Sequence, residues 1–107
     1  MIQRYGMVIG IRPDRVEAYE RLHASVWPEV LEVIRRAGIR NFSIFRKDEW
    51  LFGYLEYEGD IAASFRWMAE QDVIREWYRL CEPCQVPLAS CASGEWWAGM
   101  NEIFHLP

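Results

Sequence analysis

The chain has 107 residues, enough for one domain (1–107) with a single core and little margin. It is 51% apolar and 26% charged, which excludes a disordered chain, and its net charge of −4 is spread as mixed signs with no basic block, which argues against a nucleic-acid partner. No apolar run reaches the length of a membrane span and no long apolar core opens the N-terminus, so no membrane partner is expected and the expected compartment is the cytoplasm.

Residues 2–11, IQRYGMVIGI, alternate as a strand, with Tyr5, Met7, Ile9 and Ile11 on one face. Gly6 and Gly10 fall on the other, where a neighbour can approach the backbone closely. Over residues 14–37, Val16, Tyr19, His23, Trp27, Val30, Ile34 and Ala37 recur at spacings of three and four, which predicts a helical region. Pro28 has no amide hydrogen, so it either kinks that region or opens a second helix, and Gly38 is its expected C-terminal cap. Residues 39–46 and 50–57 read as two strands joined by a short hairpin loop, KDE. Residues 60–81 read as helix, in two pieces if Asp72 caps the second. Residues 82–98 form a long apolar connection, with Trp96 and Trp97 expected to pack or to meet a second subunit, and residues 100–106 form a final strand.

Cys81 and Cys84 form a C-x-x-C, with Cys91 downstream. A thioredoxin-type site follows a strand and opens a helix, whereas this motif closes a helical pattern and contains Pro83. Cys91 and His105 complete four zinc ligands on paper, but no second closely spaced pair supports them. The three cysteines read as free structural thiols, and no metal is expected.

The order β-α-β-β-α-β is the split pattern of a ferredoxin-like α+β sheet with both helical regions on one face. Yet WLFGYLEY, residues 50–57, is apolar on both faces. With no chain left to cover the second face, a homodimer is the economical solution.

A lone histidine on an apolar helix face is most often a satisfied core residue. His23, however, has an aromatic residue four positions away on each side, Tyr19 and Trp27, and the second helical region offers the pair Trp77-Tyr78. An aromatic-walled pocket with one ionisable ring suits a monosaccharide, whose C–H faces pack on rings while Tyr and Trp donate to its hydroxyls. Histidine titrates near neutral pH and can take and return a proton. On the residues alone, plain core packing for Tyr19 and Trp77, a non-catalytic sugar-binding protein and a cofactor-free monooxygenase on the same fold all stay open.

The motif Y-x-x-x-H-x-x-x-W-P-E (Tyr19, His23, Trp27, Pro28, Glu29) resembles the L-rhamnose mutarotases. The resemblance continues through NFSIF at 41–45, LFGYLE at 51–56, DVIREWY at 72–78 and the closing EIFHLP, nearly the whole chain in order. It implies a ferredoxin-like homodimer, a dimeric α+β barrel, that interconverts the α and β pyranose anomers of a sugar without a cofactor. By position, His23 matches the family's acid/base histidine, Tyr19 its sugar-binding tyrosine and Trp77 the first of a tryptophan pair lining the pocket. Two positions depart: Phe42 stands where the family has a sugar-contacting tyrosine, and Tyr78 replaces the second tryptophan. These departures bear on which sugar is preferred, L-rhamnose first and L-fucose as the alternative. A bound water or a second polar group completes the proton relay; His105, the other histidine, reads as structural.

Overall fold

The computed structural model describes all 107 residues, Met1–Pro107. Its central strand is β1 (Gln3–Ile11), bonded along both edges. On one side it pairs antiparallel with β3 (Trp50–Tyr57), from Gln3 opposite Tyr57 to Gly10 opposite Trp50, and β3 pairs in turn with β2 (Arg40–Lys47). On the other side two short strands share the edge: β4 (Gln85–Val86) lies against Gly10 and Ile11, and β5 (Ala98–Met100) against Gly6, Met7 and Val8. The order β2-β3-β1-β4, with β5 also on β1, is the antiparallel ferredoxin-like arrangement of an α+β fold.

Side chains alternate across a strand, and residues paired directly opposite share a face. Ile9, Ile11, Leu51 and Leu55 therefore point to one side, where they are buried under four helices. These are α1 (Val16–Ala24), α2 (Pro28–Arg36), α3 (Ile61–Ala69) and α4 (Asp72–Cys81), which contribute Tyr19, Val30, Val33, Met68, Ile74, Trp77 and Cys81 to the same core. The opposite face carries Phe45, Trp50, Phe52, Val86 and Met100, all exposed. Both-sided apolarity is thus real, and this chain covers one side only. No helix is long and apolar enough to cross a membrane.

The helical region 14–37 resolves into two helices at Pro28. A residue before proline is driven out of the helical basin, and Trp27 is extended with ψ 135° while Pro28 takes the first helical position. Trp27 consequently leaves the helical stripe of Tyr19 and His23. Gly38 does terminate α2, in the left-handed conformation (φ +89°) and with the Tyr57 ring 3.1 Å from where a Cβ would sit. Asp60 caps α3, accepting from the amides of Ala62 at 3.1 Å and Ala63 at 3.3 Å. Asp72 is the first residue of α4 rather than its cap; it pairs with Arg75 one turn on.

The C-terminal strand differs from its prediction. The ladder of β5 ends at Met100, and residues 101–107 have no regular structure, with Ile103, Phe104 and Leu106 exposed. The reason is register: Met100 lies opposite Gly6, so continued pairing would carry residues beyond 103 past Gln3, where β1 begins. Only the Arg4–Glu102 ion pair, Nε to Oε1 2.7 Å, extends the contact. His105 lies in this exposed tail.

Cys81 and Cys84 are buried and free, and Cys91 is half-buried and free. Burial pushes the Cys81 thiol up to about 12 and raises that of Cys84, so both are neutral at physiological pH.

Two substitutions probe this frame. Leu55→Ala removes a fully buried side chain from the sheet centre and is expected to cost about 2–5 kcal/mol in chemical denaturation. Gly10→Ala places a Cβ 2.9 Å from the Val86 carbonyl oxygen, a backbone atom with nowhere to move while β4 stays paired. It is expected to lower the midpoint by about 1–3 kcal/mol equivalent, where a Gly→Ala change at an unhindered site would raise it.

Candidate active site

Helix α1 presents Tyr19 and His23 one turn apart, and their rings stack with centroids 4.2 Å apart and planes at 26°. Trp77, from α4, meets the His23 ring edge-on at 5.4 Å, and Trp27, just before α2, meets Trp77 edge-on at 5.1 Å. The four rings thus converge from three segments. Tyr19 and Trp77 are buried, while His23 and Trp27 are half-buried.

The His23 Nδ1 lies 2.9 Å from the Tyr19 carbonyl oxygen. A carbonyl only accepts, so Nδ1 carries the proton and Nε2 keeps its lone pair. Burial lowers the imidazole pKa below its ordinary value, and the Tyr19 carbonyl opposes that in part. With no carboxylate against it, the ring is held neutral. No buried side-chain nitrogen or oxygen in the chain lacks a partner. The Nε2 of His23 and the Nε1 of Trp77 make no bond within the protein, so both must reach the surface. The cluster therefore presents one free base and one free N–H donor at an aromatic wall.

Behind the wall, Gln85 on β4 links two aromatics. Its Nε2 donates to the Tyr19 hydroxyl at 3.1 Å, and its Oε1 accepts from Trp96 Nε1 at 2.7 Å. Burial keeps the Tyr19 phenol protonated far above neutral pH. Nothing in the pattern of the 82–98 connection singles out Gln85, because it lies between two prolines in a stretch without periodicity. Trp96, expected to pack or to meet a second subunit, is exposed and hydrogen-bonded to Gln85, whereas Trp97 packs against the core.

The structure brings His23, Tyr19 and Trp77 together and leaves Tyr78 and Phe42 outside the ring cluster. Tyr78 follows Trp77 on α4 but points about 100° further round the helix, 36% exposed. Phe42 is 40% exposed, within the irregularity of β2 between Arg40 and Ser43, next to Asn41 at φ +51°. An open cleft of about 460 Å3 beside α1, lined in part by Arg15, Leu22, Leu80 and Cys84, includes none of the four rings.

Such an arrangement can stack an apolar ring face, donate to a hydroxyl and exchange a proton at neutral pH. Comparison with known proteins points the same way. The family model for L-rhamnose mutarotase matches residues 4–106. An L-rhamnose mutarotase of Oceanobacillus iheyensis is 28% identical over 107 residues, covering 98% of this chain and 99% of that protein. One of Pectobacterium atrosepticum is 35% identical over 78 residues, covering 71% and 73%. Among solved structures, the L-rhamnose mutarotase of Formosa agariphila superposes with a TM-score of 0.77 at 18% identity, over 98% of this chain and 99% of that one. The tetracenomycin F2 cyclase of Streptomyces glaucescens, a type-II polyketide cyclase, shares the fold at a TM-score of 0.72 and 18% identity, with the same coverage. With nearly its whole length matched by the family model, the chain belongs to the L-rhamnose mutarotase family.

Proposed function

We propose that this protein interconverts the α and β anomers of a 6-deoxyhexose, L-rhamnose first, by acid/base catalysis at His23. The observation that carries the reading is the neutral imidazole whose Nδ1 is occupied by the Tyr19 carbonyl and whose Nε2 is free beside Trp77.

Mutarotation breaks the bond between C1 and the ring oxygen and remakes it on the other carbonyl face. In opening, Nε2 takes the proton of the anomeric hydroxyl, the C1–O electron pair moves to the ring oxygen, and a water or second polar group donates a proton to that oxygen. Rotation about C1–C2 turns the aldehyde over. Closure runs the same transfers backwards, so protons balance and nothing is oxidised or reduced. A base that is already neutral does this without first losing a proton, which positioned acid/base catalysis turns into about 10²–10⁴-fold. Trp77 supplies the stacking surface and Tyr19 a neutral hydroxyl. Tyr78, next to Trp77, is assigned to the rim of the pocket, and Phe42 would meet the sugar only as an apolar group. The three free cysteines suit a reducing compartment, which supports a place in the cytoplasm.

We also propose that the protein works as a homodimer. The sheet face sets Phe45, Trp50, Phe52 and Met100 side by side and open to water, the kind of apolar surface that marks an interaction site. Static light scattering is expected to give about twice the 12.7 kDa of one chain. The pair Phe45→Glu and Phe52→Glu is expected to shift it to one; a wild-type monomer at micromolar concentration would refute the dimer.

Saturation-transfer NMR tests the activity. Wild type is expected to speed anomer exchange on L-rhamnose, or on L-fucose if Phe42 and Tyr78 have changed the preference, and His23→Ala to lose at least about tenfold. No acceleration on any aldose would end the mutarotase reading.

The same experiment across pH carries a sign. A base must be unprotonated to act, so the enzymatic rate is expected to be flat above the ordinary histidine value of 6.5 and to fall only on the acid side of it. His23 contributes to stability in the same direction. Its folded pKa is lowered, so the unfolded chain binds its proton first, and stability present above 6.5 is lost as pH falls through the folded value. A rate that declines already between pH 8 and 7 would point to a different base.

A further inference from the structure

The bond between Gln85 and Tyr19 has a direction that other groups impose. An indole N–H only donates, so the Gln85 amide oxygen must face Trp96, 2.7 Å away. The amide nitrogen is thereby turned to the Tyr19 hydroxyl, 3.1 Å away, and an amide NH2 also only donates. The Tyr19 oxygen is the acceptor, and its own hydrogen cannot point at Gln85. No protein acceptor takes that hydrogen, although Tyr19 is 3% exposed. The Gln85 backbone is fixed as well: it lies opposite Ile11 at the edge of β1, and the Cys84 carbonyl beside it accepts from the Arg12 amide at 2.8 Å.

We infer that Gln85 is a positioning residue: anchored by Trp96, it makes the Tyr19 hydroxyl a hydrogen-bond donor to an oxygen of the bound sugar. The assignment rests on the sugar-site reading above. It adds a selection rule, because the pocket must be filled at this point by a lone pair. A ligand presenting a C–H or an N–H there leaves the tyrosine hydrogen unpaired in the protein interior and is expected to bind about tenfold or more weakly. It also makes Gln85 and Trp96, both in the 82–98 connection, determinants of which sugar binds.

Gln85→Glu tests the direction with almost no change of shape. An ionised Glu only accepts, so it captures the Tyr19 hydrogen and reverses the bond. A protonated Glu can accept from Trp96 and donate to Tyr19, restoring the native pattern. The ratio of kcat/KM for Q85E to that of wild type is therefore expected to be down about tenfold or more at pH 8 and to climb as pH falls towards 5.5. Taking the ratio removes the titration of His23. The other titratable groups facing Tyr19 are Cys81 and Cys84, which stay neutral over this range. Gln85→Met, with neither donor nor acceptor, is expected to be low at every pH. A ratio for Q85E that does not change with pH, in a protein with wild-type near-ultraviolet circular dichroism, overturns the assignment. If Q85E does not fold, Trp96→Phe decides, since that ring is 41% exposed and its loss frees the Gln85 amide to flip. A fall of about threefold or more in kcat/KM supports the inference and an unchanged value overturns it. Wild type inactive on every sugar ends the mutarotase reading and this assignment with it, whereas active wild type with a flat ratio ends this assignment alone.

Discussion

Strand β1 is the one strand of the sheet bonded along its length on one edge and in two separate stretches on the other, and the placement of the candidate site's groups on α1 and β4 follows from that. Its alternation commits Ile9 and Ile11 to the helical side and its glycines to the open side. At its end, Pro13–Arg15 form a single tight turn that delivers α1 directly onto that surface, with Tyr19 inward. The free stretch of its edge at Gly10 and Ile11 is where β4 docks, bringing Gln85 to the Tyr19 hydroxyl. Only a glycine at position 10 leaves room for the Val86 carbonyl, so a residue without a side chain is what admits the site's supporting strand.

Within that frame the chemistry of His23 is governed by one hydrogen bond and by the absence of a nearby negative charge. The Tyr19 carbonyl already accepts in the helix and has a second lone pair to offer Nδ1, so the tautomer is set without a carboxylate. A carboxylate partner would have fixed the same tautomer but would also have favoured the imidazolium, raising the pKa and removing the free base at neutral pH. Aromatic neighbours orient the ring by contact alone and leave its charge state to desolvation.

Much of this was legible in the order of the residues. The alternation of residues 2–11, the three-four spacing around Tyr19 and His23, and the glycine after Ala37 each encode local geometry, and the fold class follows from their succession. Three features were out of reach for physical reasons. Helical periodicity places Trp27 on the stripe of His23, but the residue before Pro28 must be extended, and Trp27 reaches the site through Trp77 instead. The final strand was overlong because apolar residues at 103, 104 and 106 advertise burial without saying against which chain, and the register on β1 runs out first. Gln85 was invisible because its importance comes from a partner 66 positions away in the sequence.

Gln85 lies on one side of a simple division. Contacts local in sequence, or repeated along a strand, leave a periodic trace; a single side-chain bond across the fold does not. The site combines both kinds. Its base and wall stand on helices whose spacing is visible, while its support, Gln85 and Trp96, hangs on a connection of prolines and small residues that carries no pattern. The histidine and its stacking partners can therefore stay in place while what stands behind them changes. For a reaction that already proceeds in water, a proton-transfer contribution of about 3–5 kcal/mol is enough to matter. The first set of contacts can supply that. In the proposed site the second set acts on a different quantity, the direction of one hydroxyl hydrogen, and through it on which sugar oxygen would be accepted.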